Sequence, residues 1–248
     1  MFQPPAAFSS FALRGEAMPN VRQVSYRADD GAELFGFFVG EIHPGRQLLL
    51  AFHGNADLAR NLIAWAVMVW GTSGVAVLLP ELRGYDGVTG RPTYLDAARD
   101  ARAAYRFAIE GLGASGDRIA IFGHSLGSAI ATELASEQRP TALLLQSPFT
   151  SAQAMARRMN LPGLTLFWRL ISRVHYDTAD RVRTLMAPVF VAHGERDRVV
   201  PATMGRAVYD AAAVKGELLL VPSAGHNDVA ERAPSEYWSW IRGALRQS

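Results

Sequence analysis

Three residues carry the chemistry this chain could perform. Ser125 lies inside "GHSLG", between Gly123 and Gly127, directly after the apolar run "RIAIF". Asp197 follows "PVFVAH" in "GERDRVVP", and His226 follows "GELLLV" in "PSAGHND". A serine hydroxyl is a weak nucleophile at neutral pH, so it needs a base. His226 can take its proton during attack and return it to a leaving group. Asp197 would fix the imidazole tautomer and stabilise the imidazolium. Gly123, His124 and Gly127 complete the pentapeptide. A strand that turns at once into a helix puts the serine in a strained conformation, and the positions two before and two after must be small. The Leu126 N–H, at the helix start, and the Asn55 N–H, in "HGNA" after "QLLLAF", are the expected donors to an oxyanion.

These residues must be positioned by a framework. "VRQVSYRA" and "ELFGFFVG" alternate like strands around the turn "DDGA". "QLLLAF", "VAVLL", "RIAIF", "ALLLQS", "PVFVAH" and "GELLLV" are short apolar runs of the kind buried on both faces of a sheet. Helical patterns separate them: Leu58 to Trp70, "YLDAARDARAAYRFAIEGL" with Thr93 as N-cap, "SLGSAIATELASEQ", Thr203 to Ala213, and Glu236 to Arg246. The alternation predicts an α/β fold with a mostly parallel sheet covered by helices on both faces, the two leading strands forming an antiparallel edge. Ligands of such sheets bind beyond the carboxyl ends of the strands, where Ser125, Asp197 and His226 all fall. Their order along the chain is that of the α/β-hydrolase triad.

Phe149 to Met186 breaks the pattern. It is rich in Met, Trp and Arg, has helical pieces such as "LTLFWRLISRV", and no strand. It reads as a short cap inserted after the sixth strand. Phe149, Met155, Met159, Leu164, Phe167 and Trp168 are its candidates for an acyl pocket, against the plainer role of packing the cap onto the core. The remaining histidines read as structural. His53 and His193 bond loop backbone, His124 is turned away from the acyl site, and His43 and His175 are surface or cap residues. Asp228 and Glu195 are rival acids to Asp197, and Asp86 reads as a turn residue before Gly87. "GLGASG" at 111–116 matches a dinucleotide fingerprint literally, but it follows a helix and precedes a strand, the reverse of that site.

Composition narrows the field. The 248 residues are 49% hydrophobic and 19% charged, which suits one globular domain spanning 1–248 with an extended arm over 1–20. There are no cysteines, so no disulfide, thiolate metal site or cysteine nucleophile. No histidine pair has metal-ligand spacing, and neither a metal nor a cofactor is expected. The net charge of +2 is scattered, which argues against nucleic acid as a partner. No signal peptide or membrane span is legible, and nothing sets an oligomeric state.

"FHGNA", "LRGYDGVTGRPT", "GHSLGSAIA", "QSPFTS", "PVFVAHGERDRVVP" and "AGHND" together resemble the serine α/β-hydrolases of the Bem46/ABHD13/ABHD17-like type, from about Val21 to the C-terminus. The resemblance implies an eight-stranded sheet, the same triad, and an oxyanion hole from Asn55 and Leu126. Where that group often has RGYGxSxGxP, this chain has Asp86 for the second glycine and Val88 for the serine. Many members carry an N-terminal membrane anchor before a segment like "FQPPAAF"; none stands here, so the expectation is a cytoplasmic chain or one with its anchor removed. The expected activity is hydrolysis of small carboxylic esters or thioesters, with short to medium acyl chains favoured because the cap is small. An amidase or peptidase, or a ligand-binding receptor on the same fold, stays open as an alternative.

Overall fold

The computed structural model describes residues 20–43, 46–55, 57–158 and 176–246. The expected arm over 1–20 lies, but for Asn20, outside the described residues. All eight strands form where the apolar runs place them: β1 (Val21–Arg27), β2 (Glu33–Val39), β3 (Leu48–Phe52), β4 (Ala76–Pro80), β5 (Ile119–His124), β6 (Leu143–Gln146), β7 (Val189–Gly194) and β8 (Lys215–Val221). They make one sheet in the order β1-β2-β4-β3-β5-β6-β7-β8. β1 pairs antiparallel with β2, and β2 antiparallel with β4. Every other pairing is parallel.

The described helices are α1 (Ile63–Ser73), α2 (Tyr94–Glu110), α3 (Leu126–Glu137), α4 (Ala152–Arg158), α5 (Thr178–Arg181), α6 (Ala202–Ala211), α7 (Val229–Arg232) and α8 (Pro234–Arg246). Alternation along the buried strands splits the core in two. Leu48, Leu50 and Phe52 of β3 face α2, α3 and α6 through Ala101, Ala104, Ile130 and Val208. Leu49 and Ala51 face α1 and α8 through Val67, Trp240 and Ile241. A strand with no exposed face needs apolar side chains at every position, which is why these segments read as continuous runs rather than alternating ones.

The chain leaves β3 for α1 on one face and leaves β5 for α3 on the other, although β3 and β5 are neighbours. The connections diverge there and open a crevice at the carboxyl ends. Asn55 and Ser125 stand on its two sides.

Element ends differ from expectation for local reasons. A 3-10 turn, Ala59–Leu62, precedes α1, and its first N–H, that of Ala59, donates to the Glu81 carboxylate at 3.0 Å. α1 then runs on to Gly74, whose left-handed backbone (φ 70°) ends it. α8 begins at Pro234, a residue suited to a first helical position. Thr93 caps α2 as expected, its hydroxyl accepting from the Asp96 N–H. Between β6 and β7 the described residues contribute α4, α5 and a single bridge between Ser151 and Asp177.

Candidate active site

Ser125 sits at the β5–α3 junction with φ 52° and ψ −115°, a conformation that costs a non-glycine residue of order 1–3 kcal/mol. Its N–H donates to the Gln146 carbonyl at 2.9 Å, which ties the turn to β6. The flanking glycines are demanded by contact. A Cβ on Gly123 would lie 2.2 Å from the Gly127 carbonyl oxygen, and one on Gly127 would lie 2.4 Å from that of Phe52.

The three residues singled out by sequence meet. Ser125 Oγ lies 2.9 Å from His226 Nε2, and His226 Nδ1 lies 2.6 Å from Asp197 Oδ2. With its proton on Nδ1, the imidazole donates to the carboxylate and leaves Nε2 to accept from the serine hydroxyl. The Asp197 side chain is wholly buried. Burial alone would raise its pKa. Hydrogen bonds from His193, His226 and the Val200 N–H outweigh that and hold it well below the usual carboxylate range. Asp197 Oδ1 accepts from the Val199 and Val200 N–H groups, each at 2.8 Å. The rival acid Asp228 instead accepts from the Gly225 N–H at 2.6 Å and pairs with Arg232, so it shapes the histidine loop.

A second layer fixes the histidine. Its carbonyl accepts from Ser147 Oγ at 3.0 Å and from His124 Nε2 at 3.2 Å. Burial, with the neighbouring His226, depresses the His124 pKa to about 4, so this ring is neutral at physiological pH. His193, expected only to bond backbone, does so through Val200 (2.9 Å) and also reaches Asp197 Oδ2 at 3.2 Å.

The loop that carries Asn55 has a buried support that sequence reasoning missed. His53, immediately before Gly54-Asn55, places Nδ1 2.8 Å from the Gly54 carbonyl, the backbone bond expected of it. Its Nε2 lies 2.8 Å from Glu81 Oε1. Both ring nitrogens thus face acceptors, which suits an imidazolium. Burial disfavours that charge, yet the Glu81 carboxylate raises the His53 pKa above its ordinary value. Glu81 also accepts from the Ala59 and Leu82 N–H groups. On the same loop, the Tyr85 hydroxyl donates to Asn55 Oδ1 at 2.8 Å. Arg83 anchors that loop through Asp100 (2.6 Å) and Asp30 (2.7 Å). Asp86 is the expected turn residue, at φ 44°, and pairs with Arg60. The signal for Glu81 was present: "PELRGYDG" follows a buried strand just as the other site loops do.

An apolar cavity of about 540 Å³ opens beside Ser125, bordered by Asn55 and Leu126 and walled by Tyr94, Ile130, Tyr176 and Val200. Phe149 and Met155 line it. Met159, Leu164, Phe167 and Trp168 lie outside the described residues, as does His175. Among the described residues no His, Cys, Asp or Glu group is arranged to hold a metal ion, and no helix is long and apolar enough to cross a membrane.

Residues 48–180 match the model of the Alpha/beta hydrolase family. The chain belongs to that family. A relative from Mycobacterium tuberculosis, an uncharacterized protein, is 38% identical over 212 residues, spanning 85% of this chain and 74% of the relative. Human alpha/beta hydrolase domain-containing protein 17B is 25% identical over 203 residues, 82% of this chain and 68% of that protein. Among solved structures, a bacterial heroin esterase has a TM-score of 0.72 at 22% identity, covering 98% of this chain and 92% of its own. A Pyrococcus furiosus esterase has a TM-score of 0.68 at 19% identity, covering 92% and 91%. At these identities the structural likeness shows a shared alpha/beta hydrolase fold.

Proposed function

We propose that this family member is a serine hydrolase that cleaves small carboxylic esters or thioesters through an acyl-enzyme on Ser125. The observation that carries this reading is the continuous hydrogen-bonded chain from Ser125 through His226 to buried Asp197. Ser125 Oγ attacks the acyl carbon while His226 Nε2 takes its proton. The resulting oxyanion accepts from the N–H groups of Asn55 and Leu126, the latter at the positive end of α3. His226 then protonates the leaving oxygen or sulfur, and the C–O or C–S bond breaks. A water, deprotonated by His226, attacks the acyl carbon; the C–Oγ bond then breaks, Oγ regains its proton from His226, and the acid is freed. Asp197, kept ionised by its donors, stabilises the imidazolium of both steps. No cofactor enters.

The 540 Å³ apolar cavity is the acyl site in this account, with Phe149, Met155 and Tyr176 on its wall. Such a volume lies within the range of small-molecule sites. The esterase names carried by structural neighbours support ester cleavage as the reaction. A matched ester series from acetate to palmitate, with wild type and Ser125→Ala, tests the reading. Turnover of the shorter esters, lost in Ser125→Ala, is expected. Wild-type rates in Ser125→Ala would overturn the mechanism, and markedly faster cleavage of laurate and palmitate than of acetate to hexanoate would overturn the chain-length preference.

A further inference from the structure

A second cavity, of about 600 Å³, shares Ser125, Asn55 and Val199 with the apolar one. His226 borders only this second cavity. That asymmetry has a chemical meaning, which rests on the serine-hydrolase reading. The leaving atom must lie within hydrogen-bond reach of His226 Nε2 to receive its proton. The rest of the leaving group then extends into the cavity that His226 lines, and the acyl chain takes the other.

We propose that this second cavity is the leaving-group subsite, and that it selects uncharged or cationic alcohols and thiols bearing hydrogen-bonding groups while rejecting anionic ones. Its wall is unlike the acyl side. Half-buried Trp65 is the aromatic part of this wall, backed by buried Phe122 and Tyr237: Trp65 Nε1–H donates to the Tyr237 hydroxyl at 2.9 Å and that hydroxyl donates to Gln146 Oε1 at 2.7 Å. Asn61 and Asn227 supply amides. Asp57 and Glu231 supply carboxylates, and no Lys or Arg lies among the described lining residues. Arg60 and Arg232, close in sequence to this rim, are engaged by Asp86 and Asp228 instead. His124, which also lines the cavity, is neutral at physiological pH. A carboxylate, sulfonate or phosphate on the leaving group would therefore meet like charge and no cation. A quaternary ammonium would meet two carboxylates and the Trp65 ring, both attractive to it.

The test uses three hexanoate esters with alcohols of similar reach: choline (cationic), 3,3-dimethylbutanol (its uncharged isostere) and 2-hydroxyethanesulfonate (anionic). Each kcat/KM is divided by the ester's rate with hydroxide, to remove intrinsic reactivity. The choline ester should exceed the sulfonate ester by at least roughly tenfold at low ionic strength, and the ratio should shrink in high salt. Asp57→Asn combined with Glu231→Gln should move the ratio toward one, each variant being its own reference. Met155→Trp, which narrows the acyl cavity, should alter acyl-length dependence and leave the alcohol ratio in place. Equal or faster cleavage of the sulfonate ester by wild type, or a ratio untouched by the double substitution, would overturn the proposal. Failure to cleave any of the three esters would instead remove the serine-hydrolase reading, and the subsite with it.

Discussion

Glu81→Gln probes the support of the oxyanion loop without touching the triad. Glu81 is 0% exposed and accepts from His53 Nε2 at 2.8 Å, the Ala59 N–H at 3.0 Å and the Leu82 N–H at 3.1 Å. Oε1 serves His53 and Leu82, and Oε2 serves Ala59. Glutamine keeps the shape but has one acceptor oxygen. Whichever way its amide turns, an NH₂ group faces at least one of those N–H donors, and a protonated His53 would lose its counter-charge. Removing one partner of a buried ion pair costs about 3–5 kcal/mol. At about 2–4 °C per kcal/mol for a chain of this size, Tm should fall by roughly 6–20 °C. On the proposed mechanism His53 and Glu81 are positioning residues that act through the Asn55 N–H. Misplacing an oxyanion donor weakens only contacts made in the transition state, so kcat should fall about tenfold to a hundredfold with KM little changed. Calorimetry and steady-state kinetics on an uncharged ester read the two effects. The pair should also be non-additive, with His53→Gln/Glu81→Gln no worse than the more damaging single variant. A Tm within about 2 °C of wild type (less than about 1 kcal/mol), or an unaltered kcat, would refute the assignment of a charged pair beneath the oxyanion loop.

Other consequences are more local. Asp197→Asn should lower kcat/KM roughly ten-thousand-fold, because an amide NH₂ facing His226 Nδ1 favours the wrong tautomer; ester hydrolysis kinetics check it. Gly127→Ala should abolish folding or activity, since its Cβ would meet the Phe52 and His53 carbonyl oxygens at 2.4 and 2.5 Å. Gly116→Ala, whose Cβ would come no nearer than 3.4 Å to Ile109, should stay within about 0.5 kcal/mol of wild type by thermal unfolding. His53 has a folded-state pKa raised above its unfolded value. Its stabilising effect is therefore full below about pH 6.5 and is lost as pH rises through the folded value. The Tm gap between wild type and His53→Gln should narrow from acid to alkaline pH; a gap that widens would contradict the sign.

What the sequence made legible follows from the kind of interaction involved. Buried parallel strands need apolar side chains at every position, so β3 to β7 announce themselves as runs such as "QLLLAF", and the residues just beyond them become site candidates by topology. Ser125, Asp197 and His226 were found that way. Glu81 obeys the same rule but was passed over. Its partner, His53, is 28 positions away in sequence and just beyond the neighbouring strand, a proximity that only the β3–β4 register creates. His193 was underestimated for a similar reason. A histidine at a strand end has many backbone acceptors, and its second contact with Asp197 depends on the turn geometry of 194–197.

The central claim is that Ser125 becomes covalently acylated. Intact-protein mass spectrometry after reaction with a fluorophosphonate tests it most directly. One phosphonyl adduct per chain, mapped by peptide sequencing to Ser125 and absent from a folded Ser125→Ala variant, is the result predicted. A folded wild-type chain that takes up no label, or a label that persists in Ser125→Ala, would contradict it.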